Sequence, residues 1–349
     1  MTGARWTRRP EGSNWGDFGP DDTRGRMNLL TPERVRAAAA EVREGITHSL
    51  SLPLTLPGGN ALNPNRFPPV LRPTRRFGGI NFNYELRQRV DGATDVLCDD
   101  LVVLHLQYST QWDSFAHAGA LFDADGDGVA EPVFYNGFRA GEDVVGPSDL
   151  ADSGTAELHE RTTSSGGPLG VDTLARGGAQ GCGVLIDLHR HLGDERTVVG
   201  YDTLAEIMAA DGVEVHEGDM VCLHTGFAQR LIDMNGDPDP DVLHGACPAL
   251  DGRDERLLRW ITDSGLSALI ADNYAVEQYP ATPAQPPAPA LPLHHHCLFK
   301  LGIHLGELWH LTPLAADLHR LHRSRFLLTA PPLNLPGAVG SPTTPVATL

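Results

Sequence analysis

Basic residues are scarce in this sequence: 27 Lys and Arg stand against 45 Asp and Glu, a formal charge of −18 over 349 residues. A protein that grips a phosphate backbone presents a basic patch, so this balance argues against a nucleic-acid partner and equally against an anionic membrane surface. Cysteine is also sparse. Cys98, Cys182, Cys222, Cys247 and Cys297 are odd in number and widely spaced, with no Cys-x-x-Cys pair for zinc or redox work. They read as buried free thiols of a reducing compartment. No run approaches eighteen apolar residues, and the arginines near the N-terminus precede no apolar segment of the signal-peptide kind. The expectation is a soluble, cytoplasmic protein.

A hydrophobic content of 41% is enough for a substantial core. The length admits two domains, although α/β enzymes of this size are often one. Residues 1–31 read as an irregular arm until Thr31-Pro32-Glu33 starts a helix, with a capping Thr, Pro in the first turn and an early acid, running to about Gly45. A short strand over 47–54 gives way to a long coil, Pro57 to Pro73, of the kind that often serves as a functional arm or lid. Gly183–Asp187 and Asp219–Gly226 read as buried strands, residues 202–208 and 254–264 as helices, and residues 266–270 as a strand again. This alternation makes the class α/β. Residues 123–128, Asp-Ala-Asp-Gly-Asp-Gly, resemble half a calcium loop, but Phe134 stands where a bidentate Glu belongs, so a polar turn is expected. Residues 281–292 suggest a stiff surface bridge, and the Pro-rich tail from Pro331 a mobile end.

The chain is organised around Gln107 to His117, Gln-Tyr-Ser-Thr-Gln-Trp-Asp-Ser-Phe-Ala-His, which follows the apolar Leu101–Leu104. Gln107, Gln111, Asp113 and His117 share one parity, so an extended backbone would aim all four at one face. Such a face is a ligand layout; it is also what the wet side of an edge strand looks like.

The same stretch resembles the metal-binding signature of the cyclase family, His-x-Gly-Thr-His-x-Asp-x-Pro-x-His, the family of kynurenine formamidase and isatin hydrolase. Thr110, Asp113 and His117 stand as in the family, while Gln107 and Gln111 replace two histidines, Ser109 the glycine and Phe115 the proline. Asn14-Trp15-Gly16, Asp21-Asp22, residues 27–32, the 183–187 strand and the acidic turn at 272–277 resemble the family in the same order, close to the whole length of the chain. The resemblance implies a swivelling β/β/α fold, central sheets flanked by helices, in one domain spanning 1–349. It also assigns His295 and Glu307 as a second half-site, on the spacing of twelve, with His294 and His296 as adjacent competitors.

The implied site therefore comprises Gln107, Gln111, Asp113, His117, His295 and Glu307 around a divalent metal. Of these, His117, His295 and Glu307 carry protons, with His117 the first choice for the relay. The two amides remove nitrogen ligands that zinc favours and lean the site toward manganese or magnesium. With no metal, they would donate to a substrate carbonyl. Trp112 and Phe115 are candidates for the pocket wall or the core, and Phe82 and Tyr84 of the arm for contacts to a flat ring. The implied reaction is metal-assisted hydrolysis of a cyclic or aryl amide or a lactone. Alternatives are a cyclase or dehydratase, and a binding protein on the same fold. Relatives are commonly dimers, so a homo-oligomer is expected.

Overall fold

The computed structural model describes residues 5–154 and 162–349; the first four residues of the N-terminal arm lie outside them. Nine strands form one mixed sheet, in the order Thr47–Ser49, Val346–Thr348, Arg325–Thr329, Gln180–Asp187, Met220–His224, Ala268–Ala271, His304–Glu307, Gln111–Asp113 and Gly340–Pro342. The four strands from Gln180–Asp187 to His304–Glu307 run parallel, and the flanking pairs are antiparallel.

Alternation along the parallel strands divides the apolar side chains between two cores. Val184, Ile186, Val221, Leu223, Leu269 and Leu305 bury on one face, and Leu185, Met220, Cys222, Ala268 and Ile270 on the other, as a sheet covered on both sides requires. Each valine, leucine, isoleucine or methionine among them contributes about 1.5–3 kcal/mol when fully buried, the alanine less. The helices Tyr201–Asp211 and Glu255–Asp263 form where the periodicity places them, each with an acidic residue in its first turn. The Pro32–Ala39 helix has the expected Thr31 cap, its side chain accepting from the Arg34 N–H. It ends at Ala39, short of the expected Gly45.

Several expectations change. The strand at 47–54 is limited to Thr47–Ser49. The apolar run before the central motif is a strand, Asp100–Val103, but it pairs with Val70–Pro73 as a separate ribbon and does not extend into the sheet. The Pro-rich tail is not a loose end. Gly340–Pro342 pairs with Gln111–Asp113 at one edge, and Val346–Thr348 lies between two strands at the other. Proline suits the outer strand because its missing N–H can face away from the ladder.

The N-terminal arm is irregular yet packed. Trp15 is buried and donates from its indole to the carbonyl of Phe299 at 2.7 Å, and Gly25 meets Gly302 so closely that a Cβ on either would strike the other's backbone. In the acidic turn Asp123 accepts from the backbone N–H of Gly126 and Gly128 and pairs with Arg8, while Arg139 pairs with Asp125 and Glu131; ligand atoms of Asp123, Asp125 and Glu131 lie within 4.8 Å of one another. The described residues contain five free cysteines, three of them buried. No helix among them is long and apolar enough to cross a membrane.

Candidate active site

Register brings the central motif to its partners. Gln111 lies directly opposite Glu307 in the antiparallel pair, and Asp113 opposite Leu305, so Gln111, Asp113 and Glu307 share one face of the sheet. Trp112 points the other way. It packs against Trp309, with ring centroids 5.0 Å apart, and donates to the Ala330 carbonyl. Phe115 stacks on His304 at 4.1 Å. Both aromatic residues are fully buried core and not pocket wall: one step along the strand turns Trp112 to the other face, and Phe115, past the strand's end, packs into the opposite core.

Gln107 and His117 lie outside the Gln111–Asp113 strand, on turns at either end, yet the four predicted residues converge. The Gln107 amide donates to Asp113 Oδ1 at 2.9 Å and lies 2.7 Å from His117 Nδ1. The Gln111 amide donates to Glu307 Oε2 at 3.0 Å and reaches Asp113 Oδ1 at 3.4 Å. Gly340 makes room for this: a Cβ there would lie 2.5 Å from Gln107 Cγ. The residues of shared parity do lie together, although turns bring the outer two in.

The histidine that enters is His294, not His295. His294 Nε2 is 3.5 Å from Glu307 Oε1, and its Nδ1 is 2.8 Å from Glu277 Oε1. His295 packs on Phe299, with ring centroids 4.9 Å apart. His296 lies 2.9 Å from the Thr262 hydroxyl. The helix explains the exchange. Residues 295–301 form a wide π-turn whose apolar side, carrying Leu298 and Phe299, faces the core, and His295, only partly buried, lies over Phe299. A residue one step earlier is turned about 100° away, which brings the buried His294 to Glu277 and Glu307.

Glu277, whose turn carries family resemblance but no assigned role, holds His294 in place. It accepts from the backbone N–H groups of Leu293 and His294 as well as from the ring. The turn that presents it has positive φ at Ala275 and Val276, and Leu308, next to Glu307, is also left-handed. Three non-glycine residues in that region beside one cluster, one of them β-branched, are a local strain that the surrounding packing sustains.

Burial disfavours charge on His294, but the hydrogen bonds and charges of Glu277 and Glu307 outweigh it and push the imidazole up to about 10. Burial likewise opposes ionisation of Glu307, yet the His294 contact, with Arg66 and His117, holds it below the ordinary carboxylate range. The pair is therefore an imidazolium and a carboxylate at neutral pH.

Whether the cluster fits a divalent cation can be read from its atoms. Ligand atoms of Asp113, His117 and His294 lie within 4.8 Å of one another. Both nitrogens of His294 already face carboxylates, however, and His117 Nδ1 faces the Gln107 amide. The oxygens are different: Gln111 Oε1 and Asp113 Oδ2 are buried with no hydrogen-bond partner. A buried acceptor without a donor is costly, and two of them in one cluster fit a hard cation that takes oxygen ligands and keeps its waters. Zinc favours nitrogen and sulfur ligands over such oxygens.

Over the cluster lies a cavity of about 310 Å³ whose floor includes Gln107, His117, His294 and Glu307. The long coil forms one wall. Tyr108 pins it, its hydroxyl accepting from the Gly58 N–H at 2.8 Å and donating to the Gly59 carbonyl at 3.0 Å. Pro57, Leu62, Tyr274, Leu291 and Leu308 supply apolar surface. Phe82 is half exposed and Tyr84 buried, and neither is part of this wall.

The Cyclase family model matches residues 46–278, two-thirds of the chain, and the chain belongs to that family. A crystal structure described as a novel cyclase is similar over 97% of both chains, at 29% identity and a TM-score of 0.70. Isatin hydrolase A from Ralstonia solanacearum is 17% identical over 91% of this chain and 98% of its own, at a TM-score of 0.52. An isatin hydrolase bound to the product analogue thioisatinate is 14% identical over 92% and 98%, also at 0.52. The last two likenesses are of fold. No curated protein matches the sequence. The mixed α/β architecture is thus the cyclase-family fold that the central motif implies.

Proposed function

We propose that this protein is a hydrolase that opens a cyclic or aryl amide or a lactone at its carbonyl, with substrates of the isatin type among the first to try. The observation that carries this reading is the buried convergence of two carboxylates, two imidazoles and two unpartnered acceptor oxygens beneath a cavity wide enough for one ring system.

A divalent cation held by Asp113 and Gln111 would polarise the substrate carbonyl and acidify a bound water. The remaining work belongs to the side chains. Gln107 spends its two amide hydrogens on Asp113 Oδ1 and His117 Nδ1, so neutral His117 carries its proton on Nε2. The Nε2–H is placed to donate a hydrogen bond to the departing nitrogen or oxygen, and the proton that this atom gains is the one taken from water. Glu307, a carboxylate at neutral pH, is the acceptor for the proton of water. His294, fixed by Glu277, steadies the Glu307 charge through the cycle. The apolar walls exclude bulk water and strengthen each of these interactions.

A second reading rests on a separate observation: both glutamine amides direct N–H groups at carboxylates, as they would in a site that works without metal. Elemental analysis of the purified protein and of Asp113→Asn separates the two. Under the first reading the wild type retains about one equivalent of manganese or magnesium, and the variant, folded by circular dichroism, retains none. Incubation with cyclic amides and lactones should give products heavier by one water. An unchanged mass with a new ring would instead indicate a cyclase or dehydratase.

A further inference from the structure

Arg66 is the one Lys or Arg in the cavity wall among the described residues. It ends a turn in which its N–H bonds to the Asn63 carbonyl at 3.1 Å. Its guanidinium makes one hydrogen bond among the described residues, Nη1 to the carbonyl of Gln107 at 2.7 Å. Four of its five N–H donors remain. The coil does not need this bond to stay in place, since Tyr108 clamps Gly58 and Gly59, and Phe67 packs on His105 with ring centroids 5.6 Å apart. In a chain of charge −18, with carboxylates in excess, a partly buried arginine that forms no ion pair among the described residues, acts on Glu307 only through its charge and borders a cavity is in position to meet an anion from outside.

We propose that the cavity takes a ligand bearing a carboxylate, which Arg66 binds. A guanidinium fork matches the planar oxygens of a carboxylate, and such charge-assisted bonds are about twice as strong as neutral ones. The Nη1 bond to Gln107 fixes the plane of the fork beside the residue that also touches Asp113 and His117, so the anion would sit next to the reacting carbonyl. The proposal rests on the hydrolase reading for its meaning. The carboxylate is either a substituent of the substrate or the group that ring opening creates.

The experiment is calorimetric binding of three probes to the purified full-length protein: phthalimide, a neutral closed ring; 4-carboxyphthalimide, the closed ring with a carboxylate; and phthalamate, the opened ring. The wild type should bind at least one acid about tenfold or more tighter than phthalimide, the scale of one charged hydrogen bond. Arg66→Gln should remove that preference with phthalimide affinity unchanged, and Arg66→Lys should keep part of it. A preference shared by 4-carboxyphthalimide assigns the anion to the substrate; one confined to phthalamate assigns it to the product. Equal affinity for all three probes, binding of none, or a preference that survives Arg66→Gln overturns the proposal. Turnover is scored separately: a carboxylate preference with no ring opening of any amide or lactone leaves the Arg66 subsite standing and removes the hydrolase reading.

Discussion

His294 and Glu277 are locked by two bonds, the ring Nδ1 at 2.8 Å and the backbone N–H at 3.0 Å from the same carboxylate oxygen. One residue therefore sets both the helix start and the orientation of the imidazole. Through that ring Glu277 reaches Glu307, although it belongs to a different turn.

If this lock positions the site, His294→Ala and His295→Ala should separate. Removing His294 leaves Glu277 and Glu307 buried without a counter-charge, which should cost about 3 kcal/mol or more of stability and abolish turnover. His295→Ala loses packing against Phe299 and should lower Tm with turnover retained. Glu277→Gln keeps the shape and one acceptor; it should lower kcat with little change in KM. Thermal melts and steady-state kinetics on the three variants check this. Equal kinetic defects in the His294 and His295 variants would contradict the placement of His294.

Acid should destabilise the protein through histidines that the site does not use. Burial, with the nearby Lys300, holds His296 at about 4, and it does the same to His295. The unfolded chain protonates near 6.5. Between those values the unfolded state binds more protons, so stability is complete above about pH 6.5 and falls as pH drops toward 4, by up to about 1 kcal/mol per unit for each histidine. His296→Gln, neutral throughout, should flatten the slope in that window. Denaturant unfolding at several pH values measures it, and an unchanged slope would show that His296 takes up its proton as readily in the folded protein as in the unfolded chain.

The parallel strands were legible because their side chains alternate between two buried cores, and Thr31 and Pro32 announce a helix start by their own chemistry. The strand at 340–342 was not, because its pairing with Gln111–Asp113 depends on a partner more than two hundred residues away, and Gly and Pro at its ends argue for coil. That Gln107, Gln111, Asp113 and His117 lie together was legible in their shared parity, and Glu307 came from the family resemblance alone. His294 could not be told from His295 by spacing, because the choice depends on which of two adjacent side chains the local turn aims at Glu277 and Glu307. Arg66 and Glu277 act from a coil and a strained turn, where no periodicity marks a side chain's direction.

His117 is the residue most directly placed to hydrogen-bond the leaving atom. It lies on the cavity floor, and the Gln107 amide 2.7 Å from Nδ1 leaves its Nε2 as the proton-bearing nitrogen. A donor whose hydrogen bond strengthens only as charge grows on the leaving atom contributes in the transition state and hardly at all to substrate binding. His117→Ala should therefore lower kcat by about a hundredfold or more, with KM little changed and the metal content that of the wild type. Added imidazole should restore part of the rate, because it supplies the missing N–H donor through the space that the side chain leaves. The partner test is Gln107→Glu, which exchanges an amide donor for a carboxylate acceptor at Nδ1. It should move the His117 proton to that side and lower kcat too, but without rescue by imidazole, since the ring is still present. Loss of metal in His117→Ala would make this residue a ligand, and full kcat would show that the leaving atom needs no donor at this position.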